Sequence, residues 1–291
     1  MPELPDLLHI QSKLEERLRG RRVTGERLTS PVVLRCLVRG NLTLLLGRPL
    51  EEIRRRSHFL VFRFEGLDLA VNPMLAGRFR LAAPEEKDEG SLAFALAFEG
   101  AGELRYLDDK NMGKAYLTAA GDTKAIPGLE AGGVDILSPQ FTRERFVSLL
   151  KHRRDQVRAF LLDKKALDSL GNAYADEVLF AAGIHPKTWC RSLTHDDAVR
   201  LHDAIVEVMR HAVEEVARRD EPIEVKVRDF LKVRLKEECP RCGSKIRKAG
   251  VRGIALSFVN YLHELPYFCA EVLPRLVRLG ARSGVPARHF S

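Results

Sequence analysis

No uninterrupted apolar run in this 291-residue chain approaches the roughly 20 residues that a membrane-spanning helix needs. The start, Met1-Pro2-Glu3-Leu4-Pro5-Asp6, lacks the basic segment and apolar stretch of a secretory signal. Cysteine is scarce: five residues, Cys36, Cys190, Cys239, Cys242 and Cys269, odd in number and scattered. That usage argues against a disulfide framework and for reduced thiols or metal ligation. No internal repeat is present either. The expectation is a soluble cytoplasmic protein that does not engage a membrane.

What is present suffices for two modest cores. Hydrophobic residues make up 45% of the chain and charged residues 30%, a balance that excludes a low-complexity protein. Lys and Arg number 48 against 40 Asp and Glu, a formal charge of +8, which favours a polyanionic partner. Charge alone does not separate such a partner from a solvated basic surface.

Along the chain, Leu7, Leu8, Ile10, Leu14 and Leu18 recur at helical spacing, with Asp6 as a candidate N-cap. From Arg22 to Ala119 the pattern changes to short β-rich runs, Leu60 to Phe64, Leu92 to Phe98, Leu104 to Leu107 and Ala115 to Thr118, separated by Gly and charged turns. Such spacing predicts a sandwich or barrel. The stretch Asp122 to Asp135, with Pro127, Gly128, Gly132 and Gly133, reads as a linker. Beyond it the pattern is helical. Thr142 can cap a helix carrying Phe146, Leu149 and Leu150, and Thr194 with Asp197 opens a long helix bearing Leu201, Ile205, Val208 and Ala212. Past Asp229, Cys239-Pro240-Arg241-Cys242 has the two-residue gap of half a zinc knuckle.

Two separated signatures carry the functional reading: Pro2-Glu3-Leu4-Pro5-Asp6, and Gly171-Asn172-Ala173-Tyr174-Ala175-Asp176-Glu177. Between and around them, in order, stand Arg54-Arg55-Arg56, Met74 to Phe79, Asp108 to Tyr116, Leu161-Leu162-Asp163 and Gly183-Ile184-His185-Pro186. Over residues 1 to about 258 the chain resembles the formamidopyrimidine-DNA glycosylase and endonuclease VIII family. The resemblance implies an α+β multidomain fold: an N-terminal helix on a β-sandwich (1–121), a helix-two-turn-helix domain (135–228) and a finger hairpin (229–265). A basic tail (266–291) follows. It also implies a monomer that excises oxidised or ring-opened bases from damaged double-stranded DNA and then cleaves the strand as an AP lyase.

Pro2 would be the nucleophile after loss of Met1. An α-amine titrates near about 7.7 to 8.0 and is partly neutral at physiological pH. Glu3 would be the acid and base beside it. Where the resemblance places a lysine in the β-hairpin, this chain has His58, shorter and only partly charged. The wedge that fills the hole left by a flipped base would be Leu75, Lys110 and Met112. Asn172, at a helix N-terminus, would hold backbone phosphate, with Arg158 as a second phosphate contact and Arg252 from the finger as a third. Tyr174 and Glu177 are expected to brace the turn, and Asp168 to place an anion near incoming DNA.

The finger's second cysteine pair is replaced by Val259 and Leu262. Cys239 and Cys242 are therefore expected to form no complete metal site, and the chemistry to need no cofactor. His263 and Cys269 could substitute only with a different loop geometry. The altered residues also admit a second reading, a catalytically reduced protein that binds DNA lesions on the same scaffold. A third, a scaffold that has lost DNA binding altogether, is opposed by the intact Pro2, Glu3 and Asn172.

Overall fold

The computed structural model describes residues 2–88, 90–130, 132–168, 170–248 and 267–269. They form two compact units, Met1–Gly132 with His211–Val227, and Gly133–Arg210 with Arg228–Ser291. The sequence reading ended the helical domain at 228. Residues 211–227 instead group with the first unit, where Ile223 joins the core, Lys13 pairs with Asp220 at 2.7 Å, and His9 Nε2 lies 2.8 Å from the Glu221 carbonyl.

In the first unit, helix α1 (Leu4–Leu18) begins three residues earlier than its apolar spacing suggests. Its cap is Glu3, not Asp6. Glu3 accepts from the Asp6 backbone N–H, and the Glu3 N–H donates to Asp6 Oδ2 at 2.7 Å, a reciprocal capping box. Pro5 fits the first turn because an N–H there has no intrahelical partner to lose. Leu7, Ile10, Leu14 and Leu18 are all buried, and each such side chain contributes about 1.5–3 kcal/mol.

That helix lies on the shared core of two sheets. The strands are β1 (Val23–Leu28), β2 (Leu34–Cys36), β3 (Leu50–Arg56), β4 (Phe59–Phe64), β5 (Leu67–Asn72), β6 (Arg78–Ala82), β7 (Leu92–Phe98), β8 (Gly102–Leu107) and β9 (Lys114–Ala119). One sheet has the order β1-β7-β8-β6, the other β2-β9-β5-β4-β3. All pairings are antiparallel except β2 with β9.

Strands β4 and β5 are buried on both faces. Phe62, Phe64, Leu69 and Val71 enter the main core, while Phe59, Val61 and Ala70 meet Tyr116, Ile126 and Leu129 on the opposite face. The expected linker is thus partly a cover: Ile126 and Leu129 seal the outer face of the five-stranded sheet. Alternation along each strand sends neighbours to opposite sides, so a strand covered twice reads as continuously apolar.

The second unit contains β10 (Val134–Asp135), α2 (Arg143–Lys151), α3 (Val157–Leu161), β11 (Leu167–Asp168), α4 (Asn172–Ala182) and the first sixteen residues of α5 (His195–Arg219). Its caps are those the sequence suggests. Thr142 accepts from Arg145 N–H at 3.2 Å, and Thr194 and Asp197 exchange hydrogen bonds at 3.0 and 3.1 Å. Phe146, Phe160, Tyr174, Val178, Leu201 and Ile205 are buried in this unit.

The finger departs from its expected bounds. Strand β12 (Ile246–Lys248) pairs antiparallel with β13 (Tyr267–Cys269), so the return strand falls inside the stretch assigned to the tail. Without a cysteine pair at 259 and 262 to fix the return, the backbone pairs further along the chain. Among the described residues no helix is long and apolar enough to cross a membrane.

Candidate active site and DNA-contacting residues

In the first unit, Pro2 is buried at the start of α1 and lines a small cleft. Asp6 and Ile10 line it from α1, Gly77 from the turn before β6, Arg78 and Phe79 from β6, and Ile223 to Lys226 from the segment after α5. Glu3, next to Pro2, is 6% exposed and engaged in the capping box. The structure therefore brings Pro2 and Asp6 together at this cleft with Glu3 next in the chain. Asp6, whose role the sequence left open, fixes the backbone of Glu3.

His58 does not lie where a phosphate-holding side chain would. It occupies the tight turn between β3 and β4 with only 2% of its surface exposed, after Ser57 in the left-handed region at φ 51°. The backbone reversal at Ser57 turns the ring inward, and a short imidazole closed off from solvent cannot reach an incoming backbone. The expectation of His58 as a DNA-facing group is corrected accordingly.

Leu75, Lys110 and Met112 stand on two loops of this unit, and each loop is shaped by one buried polar side chain. Asn72 Oδ1 accepts from Met74 N–H at 3.0 Å, and the Gly77 N–H closes the turn on the Pro73 carbonyl at 2.8 Å. Asp108 Oδ1 accepts from Lys110 N–H at 3.1 Å and Oδ2 from Gly113 N–H at 2.6 Å. Met74 and Asn111, on the loops of Leu75, Lys110 and Met112, have φ 48° and 51°, values that cost a non-glycine residue about 1–3 kcal/mol. Lys110 is exposed, and Leu75 and Met112 are half-buried. Arg78 ties the loops by donating to Asp109 Oδ2 at 2.8 Å, which holds that carboxyl below its usual range.

The hydroxyl of Tyr106 lies beneath both loops, buried and without a hydrogen-bond partner among the described residues. Gly77 and Gly113 are required there: a Cβ on either would stand 2.1 and 1.9 Å from that oxygen. Desolvation, with the Asp108 charge adding to it, pushes the phenol's pKa up.

In the second unit, Gly171 caps α4 and Asn172 is its first residue, half-buried. Arg158, expected to contact phosphate, is 4% exposed. Its Nε donates to Asp176 Oδ1 at 2.9 Å and its Nη2 to Asn172 Oδ1 at 3.1 Å. Arg234 Nη1 completes the cluster on Asp176 Oδ2 at 3.1 Å. A guanidinium committed to a fully buried carboxylate is neutralised in place, so Arg158 is a brace for Asn172 and not a surface cation. Holding Oδ1 leaves the Asn172 amide N–H2 group as the donor for an outside acceptor.

Glu177 accepts three backbone N–H groups, from Lys232 at 2.8 Å and from Val233 and Arg234 at 2.9 Å each. Burial raises its pKa, and these donors oppose the rise. Arg228 lies over the Tyr174 ring at 5.2 Å. Glu177 thus holds the 232–234 backbone, whereas the sequence reading had it brace the turn before α4. Asp168 is 7% exposed, on β11 beside β10. It is not the outward anion the sequence suggested, because the strand pairing turns it in.

Sequence reasoning missed Asp108, Asn72, Asp176 and Arg234. Asp176 lay inside the quoted signature, and Asp108 at the head of another. Arg252 falls outside the described residues. Cys239 accepts from Arg241 N–H at 3.4 Å and Cys242 lies 3.0 Å from the Ser244 hydroxyl. Among the described residues no three His, Cys, Asp or Glu side chains gather to hold a metal. Two thiols supply half of the four donors a structural zinc takes, and His263, the further donor considered from the sequence, lies outside the described residues.

Residues 1–115 match the formamidopyrimidine-DNA glycosylase N-terminal domain and residues 133–220 the formamidopyrimidine-DNA glycosylase H2TH domain. The chain is 33% identical to a formamidopyrimidine-DNA glycosylase of Symbiobacterium thermophilum, over 97% of this chain and 95% of that one. It is 31% identical to the Moorella thermoacetica protein of the same name, over 85% and 94%. Among solved structures it superposes on Thermus thermophilus MutM (Fpg) with a TM-score of 0.79 and 29% identity, covering 93% of this chain and 98% of the other. With Lactococcus lactis Fpg, crystallised with DNA containing an oxidized pyrimidine, the TM-score is 0.81 at 26% identity, over 94% and 100%. A proline-headed helix on a sandwich, an asparagine-headed helix in the second unit and near full-length identity lead to one placement: the chain belongs to the formamidopyrimidine-DNA glycosylase family.

Proposed function

We propose that this base-excision-repair glycosylase of damaged DNA is bifunctional, with the secondary amine of Pro2, freed by removal of Met1, as nucleophile and strand-cleaving group. The observation that carries the reading is the cleft at the head of α1, where Pro2 and Asp6 meet beside Glu3. The amine attacks the deoxyribose C1′, the glycosidic C–N bond breaks, and the base leaves with the proton that the attacking amine gives up. Glu3 is the proton donor to the opening sugar oxygen. The resulting iminium acidifies the C2′ proton. Its removal expels the 3′ phosphate, and water then releases the enzyme. The proposal includes action as a monomer, without a cofactor, on DNA inside the cell.

Leu75, Lys110 and Met112 take the wedge role, and Asn172 the phosphate contact at the positive end of α4. The pre-shaped loops and the Arg158 brace support both assignments.

Borohydride trapping tests the reading on duplexes bearing an abasic site, an oxidised purine or an oxidised pyrimidine. A covalent adduct is expected, lost in Pro2→Gly, and the base lesion giving most adduct names the substrate class. Tight binding with no adduct on any duplex would leave a lesion-binding protein and refute the enzyme.

A further inference from the structure

The cleft beside Pro2 has two basic side chains on its walls, Arg78 and Lys226. They differ in what already occupies them. Arg78 is committed to Asp109. Lys226 is exposed and makes no hydrogen bond or ion pair with any described residue. Asp6 and Glu224 also line the cleft, yet neither is within ion-pair distance of the ammonium. His58 in the β3–β4 turn, where the sequence placed the phosphate-holding side chain, is buried.

We propose that Lys226 is a phosphate-binding cation of the Pro2 site, supplying from the segment after α5 the charge that the buried His58 does not. The inference rests on the reading of Pro2 as the nucleophile. A nucleotide whose C1′ lies at Pro2 carries its own phosphates within a few ångströms, and a cleft that binds it needs positive charge not already spent inside the protein. Lys226 meets that need. Its four-carbon stem gives reach, and no carboxylate among the described residues already holds its ammonium. Ile223, buried in the core of the same unit, anchors the segment that carries it.

The experiment compares full-length Lys226→Gln, Lys226→Arg, Pro2→Gly and a charge-matched control, Lys124→Gln on the exposed 122–125 stretch, all checked for an unchanged melting temperature. Affinity for a duplex with a tetrahydrofuran abasic analogue is measured against salt, and borohydride trapping at a natural abasic site under single turnover. Lys226→Gln is expected to reduce the magnitude of the log–log salt slope by about 0.9, the value for one lost phosphate contact. Its trapping rate should fall on the order of tenfold, which corresponds to about 1.4 kcal/mol. Lys226→Arg should keep both and Lys124→Gln change neither. A Lys226→Gln protein matching the control in slope and rate would overturn the proposal. So would a slope change with unchanged trapping, which puts the contact away from the reacting sugar. Failure of the Pro2 reading looks different: the adduct would survive Pro2→Gly.

Discussion

Replacing Arg158 by Met separates two roles that the sequence could not tell apart. Arg158 and Asp176 have side chains 4% and 0% exposed, and Arg234 holds the second carboxylate oxygen. Removing one partner of a buried ion pair costs about 3–5 kcal/mol. Because Arg234 remains on Asp176, the lower end applies, about 3 kcal/mol. At about 2–4 °C per kcal/mol for a protein of this size, the melting temperature should drop by about 6–12 °C. Thermal denaturation followed by near-ultraviolet circular dichroism reads that drop. DNA affinity should also fall, since Asn172 loses the donor that holds its Oδ1, but the salt slope should stay as in the parent. A cation on phosphate behaves oppositely: its loss reduces the slope by about 0.9 and leaves folding nearly untouched. A lowered slope with an unchanged melting temperature would refute the brace and restore Arg158 to the DNA surface.

Tyr106→Phe should be neutral or stabilising by up to about 1 kcal/mol in urea denaturation, because the hydroxyl it deletes is buried and unsatisfied. Gly113→Ala should destabilise the first unit by about 2 kcal/mol or more through overpacking. Tyr106→Phe in the same chain should recover part of that loss, since the nearest clash is with the hydroxyl. Among the described cysteines, Cys242 should be alkylated first and Cys190 last in the native state. Burial pushes the Cys190 thiol up to about 12, and mass spectrometry of timed iodoacetamide reactions would show the order. That folded pKa lies above the reference 9.0, so its contribution to stability is complete below pH 9 and is lost as pH rises toward 12. Purified protein should carry no stoichiometric zinc by elemental analysis, and chelation should leave borohydride trapping unchanged.

Local rules were the legible part of this chain. The caps at Thr142 and Thr194 depend on side chains within three residues, and the structure has both. Strands β4, β7, β8 and β9 sit where apolar runs put them, and α4 starts at Asn172 as the Leu170-Gly171 turn suggests. What sequence could not supply was partnership at a distance. An arginine reads the same whether it meets solvent or a carboxylate eighteen residues on, so Arg158 read as a phosphate contact until Asp176 was found against it. His58 read as a short replacement for a lysine, and the turn at Ser57 instead encloses it. Glu3 read as chemistry only, while the fold also gives it the helix cap. The stretch from 122 to 135 read as a linker because its Gly and Pro outweighed two apolar residues that the second face of a sheet required.

The way Asn72 and Asp108 hold their loops bears on how a lesion would be told from an ordinary base. A loop that ordered only on contact with DNA would charge every encounter, damaged or not, the same conformational entropy. Here the loops carrying Leu75, Lys110 and Met112 receive their shape when the sandwich folds, because the Asn72 and Asp108 side chains accept from their backbone N–H groups and so hold the left-handed residues Met74 and Asn111 within closed turns. The variable cost of opening the duplex then lies in the DNA, in how readily a given base pair unstacks. With those side chains in the proposed wedge role, scanning would become a comparison of base-pair strengths, and weakly paired sites would be opened first.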